Sequence, residues 1–230
     1  MKASKVLLFV FACTFLNLSA QKHLTSFSYK KGEILDIILL SVTPNSKTIF
    51  ERYKKTAFPV AFEYSYQPQP NFGITKNTLG NHLPHNLFFG KWKNKEKRED
   101  FLKNITTKVP DFHEQRRQLF TYFGLTYYEA TKDLEFSVNT KKLNTATSFW
   151  KKDTETFSNF VSQWKNEIEN AGGKFIIELN KGTSPLGYDY NPDLFCIIEW
   201  KNKSSFKSFA KKHPLSSYNS LKNVQQFVIN

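Results

Sequence analysis

Two stretches of the chain share one pattern of apolar and polar positions. Residues 84–104 and 192–212 align at a constant offset of 108 residues, and the tetrapeptide Trp-Lys-Asn-Lys at 92–95 recurs at 200–203. In both copies an apolar run leads to the Trp, a polar turn follows, and a short helical pattern ends in Phe101 or Phe209. Self-similarity at a fixed period indicates a repeated structural unit. The repeat therefore predicts a strand, a turn and a helix, twice.

The pattern around the first copy predicts the order strand, helix, strand, strand, helix, strand. The first strand is almost wholly apolar, which is typical of a strand buried on both faces, and Pro44 suits the first helical position. Pro59 is expected to end this first helix. The predicted elements cover residues 33–42, 44–58, 60–66, 85–92, 95–103 and 122–128, with 112–120 extending or restarting the second helix. Residues 67–83 are predicted to form a long, Pro- and Gly-containing loop, a kind that is often functional.

The second copy repeats this order. Its first helix has the clearest apolar face in the chain, made of Phe157, Phe160, Val161, Trp164, Ile168 and Ala171. The predicted elements cover residues 146–150, 154–171, 174–179, 193–200, 204–212 and 224–229, with a shorter loop over 180–191. Residues 131–142 alternate as a further strand or hairpin would, whereas 21–31 show no clear period.

This element order is that of a ferredoxin-like β-α-β-β-α-β module. The strand over 193–200 is apolar in both parities, so both faces of its sheet must be covered. We predict an α+β protein with two tandem modules, residues 32–130 and 131–230, whose sheets close face to face as an intramolecular α/β barrel. This internal pseudo-dimer is expected to be a monomer or a homodimer.

Residues 1–20 have the order charged, apolar, small that is typical of a secretory signal peptide. We therefore expect export, to the periplasm or the medium, with lipidation at Cys13 as the alternative. No other run approaches the ~18 apolar residues of a membrane helix, so no transmembrane segment is expected. Only Cys196 would remain in the mature chain, which excludes an internal disulfide.

The formal net charge is +13, but the lysines are dispersed along the chain. Nucleic-acid binding is usually marked by a basic stripe on one element, so we expect a solvated basic surface and no nucleic-acid partner. The chain also holds 23 Phe, 10 Tyr and 4 Trp. Because each buried ring removes a large apolar area from water, these side chains are expected to form the core.

The chain resembles the dimeric α/β-barrel superfamily, which includes antibiotic-biosynthesis-monooxygenase-like and NIPSNAP-like proteins. The resemblance rests on the apolar strand ending in Trp92 or Trp200, the polar turn and Phe-containing helix after it, and His213-Pro214 beyond the second copy. It implies a cavity between sheet and helices for small aromatic or lipophilic molecules. Known members are cofactor-independent oxygenases, haem degraders, isomerases or proteins of no known activity.

The resemblance also bears on haem. Haem-degrading members combine a strand Trp, a helix His and an Asn on the first strand; Trp200 and His213 suit two of these parts. Neither 34–42 nor 146–150 supplies the Asn. The chlorite-dismutase-like group needs a proximal His, for which His213 or His113 can be nominated. We expect no cofactor, with haem as the alternative.

The candidate ligand-binding residues are Trp92, Trp200, His85, His213, Tyr64 and Tyr66. Each also has a purely structural interpretation, since strand Trp and Tyr side chains commonly anchor a core or pair across strands. His82 and His85 lack Cys or carboxylate neighbours at a ligand-like spacing, so no metal site is expected. No catalytic residue can be assigned.

Two functions remain open, and with them the question of whether the protein is an enzyme. One is binding of a small apolar or aromatic molecule in a module cavity, with monooxygenase-like chemistry. The other is a non-enzymatic envelope protein with a filled barrel, acting through its basic surface or the 67–83 loop. Because residues 83–85 and 191–193 differ between the copies, we expect at most one working cavity.

Overall fold

The chain folds around one large antiparallel sheet, as the computed structural model shows for residues 23–185 and 190–230. The predicted signal peptide and Cys13 lie outside the described residues. The strands are β1 (Leu24–Tyr29), β2 (Ile34–Val42), β3 (Gln67–Leu79), β4 (Asn86–Trp92), β5 (Phe120–Glu129), β6 (Leu134–Asn139), β7 (Leu143–Lys151), β8 (Gly173–Asn180), β9 (Leu194–Trp200) and β10 (Leu221–Ile229). The helices are α1 (Lys47–Glu63), α2 (Lys95–Lys108), α3 (Phe112–Leu119), α4 (Thr154–Asn170) and α5 (Lys203–Lys212), with a 3₁₀ turn at Leu215–Ser217. The predicted α+β class is confirmed.

Eight strands form the sheet in the order β5-β2-β4-β3-β10-β7-β9-β8. The strands β5, β2, β4 and β3 are called the first half-sheet, and β10, β7, β9 and β8 the second half-sheet. Within each half-sheet the strands, numbered along the chain, lie in the order four, one, three, two. The two join edge to edge through β3 and β10, not face to face as predicted from the sequence. An antiparallel bridge between Tyr127 and Thr183 links the outer edges. Edge-to-edge joining satisfies backbone groups that a face-to-face arrangement would leave unpaired.

Both faces of the sheet are covered, as the apolar pattern of β9 predicts. Phe195 and Ile197 pack into a cluster on the inner face, whereas Cys196, Ile198 and Trp200 pack against the helices. A separate two-stranded ribbon of β1 and β6 lies against the inner face. Its Phe27 stacks on Phe136 and contacts Phe89, with both centroid distances at 4.7 Å. Aromatic side chains therefore fill the space that the sheet encloses.

The repeated tetrapeptide has one structural role in both copies. Asn94 and Asn202 have the same backbone conformation, φ −165° and ψ 174°, and cap α2 and α5. Each side-chain oxygen accepts a hydrogen bond of 2.9 Å from the backbone N–H three residues later. The Trp before each cap is buried beneath the helix. An N-cap Asn stabilises a helix by about 1 kcal/mol, so the repeat fixes the entry of each helix above its Trp.

The segment around Pro59 differs from the sequence prediction. α1 continues through Pro59 to Glu63, so the strand predicted over 60–66 is wrong. Proline removes one backbone donor, but Val60 and Ala61 are buried in the helix-side core, which holds the last turn in place. Most of the predicted 67–83 loop is strand β3. Pro68 lies at a register shift of this strand, where the sheet tolerates a residue without an N–H.

Two further sequence expectations change at the strand boundaries. Residues 24–29, predicted to lack regular structure, form β1, in which only Phe27 and Tyr29 are buried. The first strand of the second half-sheet begins at Leu143 rather than at residue 146. It therefore includes Asn144, the residue type that the haem-degrading pattern requires and that the predicted boundaries excluded.

Candidate functional site

The two halves of the chain differ after the helix that follows each Trp. α2 has 14 residues and is followed by α3, whose buried Phe112 meets the ring of Phe101 edge-on at 5.9 Å. α5 has 10 residues and is followed only by the 3₁₀ turn. Here His213 directly follows the helix and stacks on Phe209 at 4.8 Å. The missing helix leaves Ala210 exposed on α5.

A groove of about 310 Å³ lies beside α5, at the junction of β3 and β10. We call it the seam groove. Its apolar lining residues are Leu79, Phe206, Phe209, Ala210, Pro214 and Leu215, and its polar ones are Lys76, Thr78, Lys207, His213, Ser216 and Gln226. This volume is at the lower end of the range for small-molecule sites, which are typically apolar with a few placed polar groups.

Two polar groups of the groove are engaged with each other. The Thr78 hydroxyl donates to the backbone oxygen of Gln226 at 3.0 Å or to its side-chain oxygen at 2.9 Å. The Gln226 amide nitrogen donates to Thr147 at 3.0 Å. These bonds tie β3 of the first half-sheet to β10 and β7 of the second. They fix the side of the seam groove that β3 and β10 form.

His213 is held by a carboxylate. Its Nδ1 lies 2.9 Å from Oε2 of Glu167 on α4, and the Tyr218 hydroxyl donates to the same oxygen at 3.4 Å. Burial, and secondarily the charge of Glu167, raises the pKa of Tyr218, which stays a neutral donor. Because Nδ1 faces Glu167, Nε2 is the nitrogen left for a groove ligand. A histidine oriented in this way can accept a proton from a bound molecule.

Trp92 and Trp200, both predicted ligand residues, are core residues. Trp92 is 3% exposed and Trp200 1%. Trp92 packs on Phe101 at 5.1 Å, and Trp200 on Phe209 at the same distance. Their indole N–H groups are satisfied within the protein, by Asp36 at 2.8 Å and by Thr145 at 2.9 Å. The geometry therefore supports the purely structural interpretation of both residues.

The remaining predicted residues are dispersed. Tyr66 packs on Trp92 at 4.8 Å, and burial raises the pKa of its hydroxyl well above the usual range. Tyr64 caps α1 and meets Phe101 edge-on, so neither Tyr belongs to a strand as predicted. His85 is exposed in the connection before β4. Of the six candidates, the structure places only His213 in the seam groove.

The first half carries a buried ion pair where the second is neutral. Arg98 and Asp36 are each 2% exposed, and Arg98 Nε lies 2.9 and 3.1 Å from the two carboxylate oxygens. The strand pairing places Thr145 at the position of Asp36, and Phe206 stands at the position of Arg98. The guanidinium also lies 5.1 Å from the Trp92 ring. This pair binds α2 to the sheet, and neither residue lines the seam groove.

Trp200, Asn144 and His113 are not arranged as the resemblance to haem proteins requires. Phe206 and Phe209 fill the space above Trp200. The side-chain nitrogen of Asn144 donates to two backbone oxygens. His113 is exposed on α3. Within the described residues, no group of three or more His, Cys, Asp or Glu side chains is arranged to hold a metal ion.

Sequence reasoning did not find the other groove residues. Lys76 lies in the segment predicted to be a loop. Glu167, which contacts His213 without lining the groove, lies in a predicted helix and had no expected role. Lys207 and Ala210 resemble ordinary surface positions. The one available signal was the difference between the copies, because the helix after Trp200 is followed by His213-Pro214 and the helix after Trp92 is not.

The sheet consists of two sets of four strands that have the same internal order and join through β3 and β10. Similar solved structures include an anthrone oxidase-like protein at 12% identity, covering 89% of this chain and 94% of that one, with a TM-score of 0.49. A chlorite dismutase from Candidatus Nitrospira defluvii is 9% identical over 88% of this chain and 92% of its own, with a TM-score of 0.48. A proposed monooxygenase from Lactobacillus acidophilus NCFM is 14% identical over 87% and 94%, with a TM-score of 0.37.

No protein-family model and no curated protein matches the sequence. Within residues 23–185 and 190–230, no helix combines the length and hydropathy that crossing a bilayer requires.

Proposed function

We propose that the protein binds a small apolar or aromatic molecule in the seam groove. The observation that carries this proposal is the groove itself, with its apolar floor and with His213 held by Glu167, at a place where the two halves differ in their helices. The site lies beside Phe209 and not at either Trp. The proposed binding site therefore lies at the junction of β3, β10 and α5, and not in the interior of a module as expected from the sequence.

His213 is the basis of the monooxygenase-like part of the proposal. An oxygenation that needs no cofactor begins with an electron-rich substrate, and removal of a substrate proton produces one. We assign the removal of this proton, from an activated CH2 group of the substrate, to His213 Nε2, with Glu167 as the residue that orients it. Dioxygen is the oxidant: the carbanion reacts with it, one oxygen atom is retained as a carbonyl, and the other leaves as water with the two hydrogens of the CH2 group. A His213→Gln variant should bind the same molecules and lose any turnover.

A groove-blocking variant tests the binding proposal. Ala210→Trp places an indole in the groove, and Ser208→Trp adds the same side chain at an exposed position of the same helix. Calorimetric titration with naphthalen-2-ylmethanol, an uncharged aromatic probe, should show saturable binding to wild type and Ser208→Trp and none to Ala210→Trp. Equal binding by all three proteins would refute the groove as the site.

A second candidate function is favoured by the filled interior. Phe27, Phe89, Phe136 and Phe227 occupy the space inside the sheet, which leaves the barrel as a scaffold. In this alternative the protein is a non-enzymatic envelope protein that acts through its basic surface. Residues 67–79 of the 67–83 segment form β3, which leaves residues 80–83, with the exposed Leu83, as its part outside the sheet. The absence of saturable aromatic binding to wild type would favour this alternative.

Two further parts of the proposal concern the module organisation of the chain and the cellular location of the protein. The shared strand order and the repeated cap support tandem ferredoxin-like modules, residues 32–130 and 131–230. The charged and apolar pattern of residues 1–20 supports export to the periplasm or medium. Mass spectrometry of the protein recovered from expressing cells tests this: an N-terminus at Gln21 is expected, and a retained Met1 would contradict it.

A further inference from the structure

We propose that the molecule bound in the seam groove is an amphipathic organic anion, an aromatic or aliphatic carboxylate or sulfonate, whose charged group is bound by Lys76 and Lys207. This inference rests on the proposed function and names the class of its ligand. It follows from the hydrogen-bonding capacity that the groove side chains have left once their contacts within the protein are counted.

The polar lining offers donors. An ammonium group has three donors and no acceptor, and neither Lys76 nor Lys207 forms an ion pair with any residue in the described part of the chain. The donor of Thr78 is engaged by Gln226, and the Gln226 amide by Thr147. Beside Nε2 of His213 and the hydroxyl of Ser216, the two ammonium groups are the charged part of the capacity left for a ligand.

The lining offers no competing negative charge. None of the described residues that line the groove is Asp or Glu. The Glu167 carboxylate, which contacts the groove residue His213 at 2.9 Å, also accepts a hydrogen bond from Tyr218 at 3.4 Å. A neutral ligand would leave both ammonium groups solvated, whereas a carboxylate or sulfonate accepts charge-assisted hydrogen bonds from them. The groove therefore favours an anionic group.

The apolar floor selects the rest of the molecule. Phe206 and Phe209 are mostly buried beneath the groove, while Ala210 is exposed at its edge. A free inorganic anion would leave this apolar surface in water, so a hydrocarbon body is required for tight binding. Lys76 belongs to the first half-sheet and Lys207 to the second half of the chain. The ligand consequently bridges the seam.

The test compares 2-naphthoate with naphthalen-2-ylmethanol, which share the ring system and differ in charge. Calorimetric titration should show the acid binding about tenfold more tightly than the alcohol, as expected for a partly exposed charge-assisted contact. Lys76→Gln and Lys207→Gln should reduce this ratio at least severalfold, and added salt should weaken only the acid. Lys211→Gln, which removes the same charge from the same helix outside the groove, should preserve the ratio.

Each outcome bears on one claim. If neither probe binds wild type, the proposed function fails. If both bind equally, or if Lys211→Gln lowers the ratio as much as Lys207→Gln, the ligand class is wrong while the groove stands. Inorganic sulfate that competes with 2-naphthoate at equal concentration would show that the apolar floor contributes nothing, which would also overturn the inference.

Discussion

The buried Asp36–Arg98 pair gives the sharpest prediction about stability. The second half of the chain already shows a neutral solution at the same place, since Thr145 accepts the Trp200 N–H and Phe206 packs on the Trp200 ring at 5.4 Å. We therefore consider three variants: Asp36→Thr, Arg98→Phe, and the double variant that copies the second half.

The magnitude follows from burial. Each partner is 2% exposed, and removing one partner of a buried pair leaves an uncompensated charge at a cost of about 3–5 kcal/mol. Additive single changes would then destabilise the double variant by about 6–10 kcal/mol. Replacing both partners removes the charges together, so only packing costs of about 1–3 kcal/mol remain. We expect the double variant to be more stable than either single variant.

Urea unfolding followed by far-ultraviolet circular dichroism measures this difference. With a denaturant dependence of about 2 kcal/mol per molar urea, a single variant should lower the midpoint by about 2 M. The double variant should recover most of that loss. A double variant at least as unstable as the worse single variant would refute the reasoning that the two halves provide interchangeable contacts to their Trp side chains.

Three further predictions concern individual side chains. Burial raises the pKa of the Cys196 thiol far above its usual value, so Ellman's reagent should label it only in denaturant, and labelling of native protein would contradict this. The hydroxyl and backbone of Thr156 lower the pKa of Asp153. Its folded pKa is below its unfolded value, so its contribution is present above about pH 4 and is lost as pH falls through the folded pKa. The urea-midpoint gap between wild type and Asp153→Ala should close with acid, and a gap that widens would be inconsistent. Asn94→Ala and Asn202→Ala should each cost about 1 kcal/mol in the same assay, and a cost confined to one copy would show that the caps are not equivalent.

The repeated stretch was the most informative part of the sequence. The Trp, the polar turn and the Phe of each copy predicted the order of strand, turn and helix, because each has a local physical role. The two parities of β9 likewise predicted a sheet covered on both faces. These features depend on neighbours in the sequence or on burial alone, which is why they could be read without the structure.

The failures come from tertiary contacts. Pro59 was expected to end a helix, but packing of Val60 and Ala61 keeps α1 intact. β3 was predicted to be a loop because it contains Pro and Gly, which are uncommon in strands. Its register is set by pairing with β10. The edge-to-edge junction of the half-sheets has no local signature in the sequence. The groove could not be predicted because it arises where β3, α5 and β10 meet.

The seam groove is the central claim, and an amide chemical-shift titration of isotope-labelled protein with 2-naphthoate tests it most directly. Saturable shifts concentrated in residues 74–79, 206–216 and 224–228 would support the site as described. Shifts concentrated instead around the inner-face cluster of Phe27, Phe89 and Phe136 would place the ligand inside the sheet and contradict the account.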